Sequence, residues 1–115
     1  MLDMSKKCRF MYDDFSDRLL ISCKKKEDVV SGSVRVHDLI LTFDSNKQVI
    51  GAEIKNASKY LEQIGLNSNI LNSLTGADLV FQQKREGYLI YFILHSGKIT
   101  ERIPYNLITS KPLIV

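Results

Sequence analysis

Residues 88–94 read Tyr-Leu-Ile-Tyr-Phe-Ile-Leu, a stretch with no polar face to turn toward water. Such a run suits a strand covered on both sides, and it is far shorter than the roughly 20 apolar residues that cross a bilayer as a helix. In a chain of 115 residues one side of that strand can lie on the core. The other side needs the helix, a second sheet layer or another chain. The flanking segments are strand-like as well. Polar, glycine-containing separators at 84–87 and 95–98 set off strands at 79–83 and 99–105, which suits tight hairpins. Pro104 removes a backbone donor, so the last strand is expected at a sheet edge or to stop there.

The first half of the chain shows the period-2 alternation of half-buried strands. Cys8, Phe10 and Tyr12 alternate with Arg9 and Met11, and Leu19, Ile21 and Cys23 resume the pattern after a polar loop at 13–17. Pairing apolar with apolar sets Tyr12 opposite Leu19 and Phe10 opposite Ile21. Residues 29–36 form a weaker strand, bent or bulged at Ser31-Gly32-Ser33. Residues 39–43 are apolar on both faces and read as an interior strand. A turn at 44–47 leads into 49–55, where Ile50, Ala52 and Ile54 share one face.

The period then changes. Ala57, Tyr60, Leu61 and Ile64 recur at i, i+3, i+4 and i+7, which predicts a helix over 57–65, capped by Asn56 and ended at Gly65. A shorter helical turn is expected near 69–74. No linker composition divides the chain. The expected object is a single domain over 1–115, α+β and mainly β, its antiparallel hairpins forming a rolled sheet or open barrel with one helix and one short helical turn.

Apolar residues make up 44% of the chain and charged ones 25%, which excludes a disordered or low-complexity chain. Sixteen Lys and Arg against thirteen Asp and Glu leave a net charge of +3. The one dense basic run is Lys24-Lys25-Lys26, and Glu27-Asp28 follow at once and partly cancel its field. With Lys84 and Arg85 it is the candidate nucleic-acid-binding set; a solvated loop accounts for it more simply. Two cysteines cannot supply a zinc site. The strand register sets Cys8 opposite Cys23, at a separation a disulfide can nearly bridge. The amino-terminal residues lack a signal-peptide pattern, so a cytoplasmic protein with two buried thiols is the expectation.

Asp13, Asp14 and Asp17 crowd one loop, and carboxylates held close bind hard cations or share protons. Their spacing departs from that of an EF-hand, and side chain–backbone bonding within the turn explains them without a metal. Glu53 needs a partner within hydrogen-bond reach to act as a general base. Asp13, Asp17 and Glu53 are therefore the candidate acidic cluster. His37 and His95 both adjoin predicted turns. No phosphate loop, nucleophile elbow or His/Glu metal motif is present, so no cofactor or metal is expected.

Several phrases occur in a recognisable order: Tyr12-Asp13, then Asp17-Arg18-Leu19-Leu20-Ile21, the strand ending at Asp44, and Val49-Ile50-Gly51-Ala52-Glu53-Ile54-Lys55-Asn56-Ala57-Ser58. Together, over about residues 10–61, they resemble the DUF2283 family of small archaeal and bacterial proteins. Residues 66–115 would then be a β-rich extension packed on that core. The resemblance implies no activity; because members lie beside toxin-like genes, it implies an antitoxin-like partner role. Three functions are expected from all of this. The first is a non-enzymatic protein-interaction module or homodimer. The others are a nucleic-acid-binding protein using basic loops, and a small hydrolase or nuclease.

Overall fold

The computed structural model describes residues 7–85 and 87–108. Ten elements follow one another: β1 (Lys7–Asp13), β2 (Arg18–Ser22), β3 (Val30–Val36), β4 (Leu39–Asp44), β5 (Val49–Lys55), α1 (Ala57–Gln63), a 3₁₀ helix (Ser68–Ser73), β6 (Gly76–Lys84), β7 (Gly87–Ser96) and β8 (Ile99–Ile108). The strands form one eight-stranded sheet in the order β3-β4-β5-β2-β1-β6-β7-β8. The described pairings are all antiparallel, so the mainly β, α+β expectation holds.

The sheet is curled. β4 and β6 stand four strand spacings apart in its order, about 19 Å if it were flat. Yet Phe43 on β4 and Phe81 on β6 meet edge to face with ring centroids 6.4 Å apart. The inner face therefore wraps one continuous core that includes Leu19, Ile21, Leu41, Ile54, Ile90 and Phe92. Ala57 and Leu61 of α1 and Ile70 and Leu71 of the 3₁₀ helix complete that core.

α1 runs from the end of β5 toward β8. Ala57 and Leu61 enter the core, while the Tyr60 hydroxyl donates to the Pro104 carbonyl at 2.6 Å and its ring lies 5.2 Å from that of Tyr105. β8 is an edge strand, as Pro104 required. At the helix end Gly65 has φ 84, its N–H bonds to the Glu62 carbonyl and that of Leu66 to the Leu61 carbonyl, the paired bonds of a Schellman end. The start differs from expectation. Asn56 is itself left-handed (φ 55) and makes no side-chain cap.

Asp17 takes over that role from 41 residues away in sequence: its Oδ1 accepts the Ser58 N–H at 2.9 Å and its Oδ2 the Ser58 hydroxyl at 2.7 Å. Its backbone carbonyl accepts the Ala57 N–H. The loop between β1 and β2 thus caps the helix in trans, which fixes α1 against the hairpin.

β1 and β2 pair in the expected register, Tyr12 opposite Leu19 and Phe10 opposite Ile21. Cys8 and Cys23 are joined as a disulfide, not held as the two thiols expected. The register brings them face to face, and that proximity is the physical reason for the correction. Cys8 is also where β1 meets its other neighbour: among the described residues Lys7 and Cys8 pair with β6, against Asp78 and Ala77. This seam joins a five-stranded half to a three-stranded meander.

Two irregularities alter the faces. β3 shifts register between Val30 and Gly32, the bulge foreseen at its Ser-Gly-Ser. β5 contains a second: Thr42 pairs with Gly51 but Phe43 with Val49, so Ile50 is the extra residue. Val49 consequently joins the core beside Ala52 and Ile54, and Ile50 leaves the face expected for it.

Candidate functional site

The outward side of β7 was expected to require a partner. Ile90, Phe92 and Leu94 point inward and are fully buried. The outward Leu89, Tyr91 and Ile93 are half-buried, and the Arg102 guanidinium lies 4.5 Å above the Tyr91 ring. Half-buried among their neighbours, these side chains do not by themselves require a docked partner at β7.

The acidic candidates do not converge. Asp13 organises its own loop, accepting the Phe15 N–H at 3.1 Å and the Ser16 hydroxyl at 2.7 Å. The Ser16 bond above all, with backbone N–H groups and Arg18, holds its carboxyl below the usual range. Asp17 accepts the Tyr12 hydroxyl at 2.6 Å in addition to its bonds to Ser58. Burial acts to raise its pKa, but the bonds from Tyr12 and Ser58 and the charge of Lys59 outweigh burial and hold the carboxyl low. Burial, the bond to Asp17 and the surrounding carboxylates push the Tyr12 hydroxyl up to about 12. Glu53 lies on the outer face, 4.0 Å from Arg18. Among the described residues no group of three or more His, Cys, Asp or Glu is placed to hold a metal. Asp13 and Asp17 hold the fold together, and Glu53 belongs to a surface charge pair.

The basic candidates are likewise spread out. Lys24, Lys25 and Lys26 are exposed in the loop after β2, where the Asp28 carboxylate folds back to accept the Lys25 N–H at 2.7 Å. Arg85 is exposed in the turn after β6, and the side chain of Lys84 lies outside the described set. Extending the β1 register puts Lys24 level with Asp78, so Lys84 stands about 20 Å farther along the strand direction.

One constellation escaped the sequence. On the outer face of the meander the His95 Nε2 lies 3.0 Å from Asp78 Oδ2 and its Nδ1 3.2 Å from Thr100 Oγ1. Carboxylate, imidazole and hydroxyl in this order have the polarity of an acyl-transfer relay. The surroundings do not complete one. The nearby Gly97 N–H is taken by Thr75 Oγ1 and the Thr75 N–H by the His95 carbonyl, so neither can receive an oxyanion. The three residues sit on adjacent strands and act as a cross-strand ladder.

The outer face of the five-stranded half carries a second apolar surface, on which Leu20 and Ile40 are half-buried as Leu89 and Ile93 are. Met11, Leu20, Glu53, Ile40 and Arg35 form one outward row across β1, β2, β5, β4 and β3. Arg9, Ser22, Gly51, Thr42 and Ser33 form the next. Where the rows meet, a depression of about 240 Å³ is floored by Gly51 and walled by Leu20, Ile40, Ile50, Val30 and Thr42, with Lys24 on its rim. Met11 is 58% exposed and Val30 51%, so the apolar lining continues into solvent.

The fold does not demand a glycine here. The nearest atoms to a Cβ on Gly51 would be the Ile21 carbonyl at 3.5 Å and Thr42 at 3.7 Å, ordinary contacts, and the residue is not left-handed. A glycine inside a strand costs stability and marks places of close approach. The sequence carried a signal for this face: Leu20 and Ile40 are the middle residues of Leu19-Leu20-Ile21 and Leu39-Ile40-Leu41, where an alternating strand would turn a polar residue outward.

No helix among the described residues is long and apolar enough to cross a membrane. Compared with protein-family models, with curated proteins and with solved structures, the chain matches none.

Proposed function

We propose that this chain is a non-enzymatic protein-interaction module that docks a partner, or a second copy of itself, on the outer face of β1 to β5. One observation carries the reading: an apolar depression over Gly51 in the middle of a strand layer, whose apolar surface runs out to the exposed Met11 and Val30. An interaction surface accounts for outward Leu20, Ile40 and Met11, which a solvated face would replace by polar residues. The antitoxin-like role implied by the DUF2283 resemblance is a narrower form of the same proposal. Its phrases make physical sense as a group, because Tyr12, Asp17 and Ser58 meet in one hydrogen-bond cluster that positions α1.

A cytoplasmic location belongs to this reading and has a chemical consequence. In a reducing cytosol Cys8 and Cys23 are held as thiols, and in an oxidising compartment as the bond. Alkylation before lysis, followed by mass measurement, distinguishes the two.

The test of docking is retention. Partners held by the immobilised chain, or its own dimer by light scattering, should be lost in Leu20→Lys and kept in Phe15→Lys, which alters an exposed residue of the β1–β2 turn. Equal retention by both variants would overturn the reading.

A further inference from the structure

We infer that the depression over Gly51 takes a single large apolar side chain from an acidic protein segment. The inference rests on the docking reading above and adds the chemistry of the partner. Size decides against a small-molecule site. At about 240 Å³ the depression falls below the roughly 300–1,000 Å³ of ligand pockets, and it suits one anchor side chain of the kind that dominates protein interfaces.

Charge decides the surroundings of that anchor. Arg35 ends one outward row and Arg9 ends the next, both exposed. Lys24 stands on the rim, with Lys25 and Lys26 following it. Among the described lining residues Glu53 is the one acid, and it faces Arg18 at 4.0 Å. Asp13 at the far end also adjoins Arg18, opposite it in the β1–β2 register. Glu27 and Asp28, beside the lysines, offset two of the three, so that loop contributes one net positive charge. The cations left over lie on either side of an apolar centre, which is the complement of acids flanking an apolar residue. A nucleic acid would engage the same cations and leave the apolar depression unused.

The chain contains no Trp, so a peptide tryptophan reports its own burial. The experiment titrates the full chain into a nine-residue peptide with a central Trp flanked by Glu and Asp, and follows the shift of its emission. Three comparison probes are the same peptide with Ala for Trp (followed by calorimetry), the Trp peptide with Lys for its acids, and a twelve-residue oligothymidine. The variant Gly51→Leu fills the depression where a Cβ has only ordinary contacts, and unchanged thermal melting verifies its fold.

Expected are a blue-shifted Trp, binding at least about tenfold weaker for Gly51→Leu and for the Ala peptide, and a similar loss in Arg35→Glu. Absence of binding by the acidic Trp peptide, or binding untouched by Gly51→Leu, overturns the inference. Equal binding of the basic peptide, still lost in Gly51→Leu, overturns the acidic partner while leaving the docking face standing. Binding of the oligothymidine alone overturns both in favour of nucleic acid.

Discussion

Over β6, β7 and β8 the outward side chains attend to one another: Arg102 covers Tyr91, and Asp78, His95 and Thr100 bond across three strands. Over β1 to β5 the outward rows hold Leu20, Ile40 and an exposed Met11 around a hollow over Gly51. Both halves contribute to one core, so the difference does not come from folding requirements. A strand's inward side is dictated by packing. Its outward side is not, and the two halves carry different outward side chains.

The common core offers the hardest way to break this comparison. Phe92 is fully buried between the meander and the rest. Phe92→Ala is expected to cost ~3–5 kcal/mol in denaturant unfolding, and a loss below 1 kcal/mol would mean that the meander is not integral. The disulfide comes next. It closes a span of 15 residues, so the double change Cys8→Ala, Cys23→Ala should lose about 3 kcal/mol under oxidising conditions and nothing under reducing ones.

Asp17 sharpens the contrast from the five-stranded side, because it ties the hairpin to α1. Asp17→Ala should cost ~1–2 kcal/mol, the range of a lost helix cap. Its carboxyl is held low in the fold, so its contribution is present above the ordinary carboxylate range and disappears as pH falls through the lowered value. Asp17→Asn should flatten the acid limb of a stability profile. The Tyr12 hydroxyl is pushed up to about 12, so its contribution persists to the ordinary tyrosine range and fades as pH rises toward 12. Tyr12→Phe should remove that alkaline loss.

The smallest effects probe the outer faces themselves. Arg102→Ala uncovers Tyr91 and is expected to cost about 0.5–1 kcal/mol. Leu20→Lys should change stability by less than about 0.5 kcal/mol while abolishing docking; a large destabilisation would show that Leu20 serves the fold.

Much of this was legible in the chain. The alternation of Phe10, Tyr12, Leu19 and Ile21 fixed the first hairpin and its register, because a one-residue slip would turn every one of those side chains to water. Gly65 marked the helix end, since only a glycine takes φ 84 without strain. Pro104 marked the edge. What stayed hidden depended on the third dimension. Asn56 had the chemistry of a helix cap, but its left-handed backbone turned it away, and Asp17 arrived from another loop. Parity put Ile50 on one face with Ala52 and Ile54, and one bulge moved it off that face although it stays buried. The candidate site fared worst. Glu53 was singled out for its charge, whereas the hollow beside it is lined by Gly51 and by the outward Leu20 and Ile40 of two strands read as alternating and as interior.

The seam between the halves has a consequence for how the molecule comes into being on the ribosome. Cys8 and Cys23 stand 15 residues apart in sequence, but the partners of Lys7 and Cys8 on β6, Asp78 and Ala77, are translated about fifty residues after Cys23. At about 5–20 residues synthesised per second, the wait is on the order of ten seconds at the slow end. Through that interval β1 has an open flank awaiting sequence not yet translated. The early hairpin must stay in solution until β6, β7 and β8 are delivered.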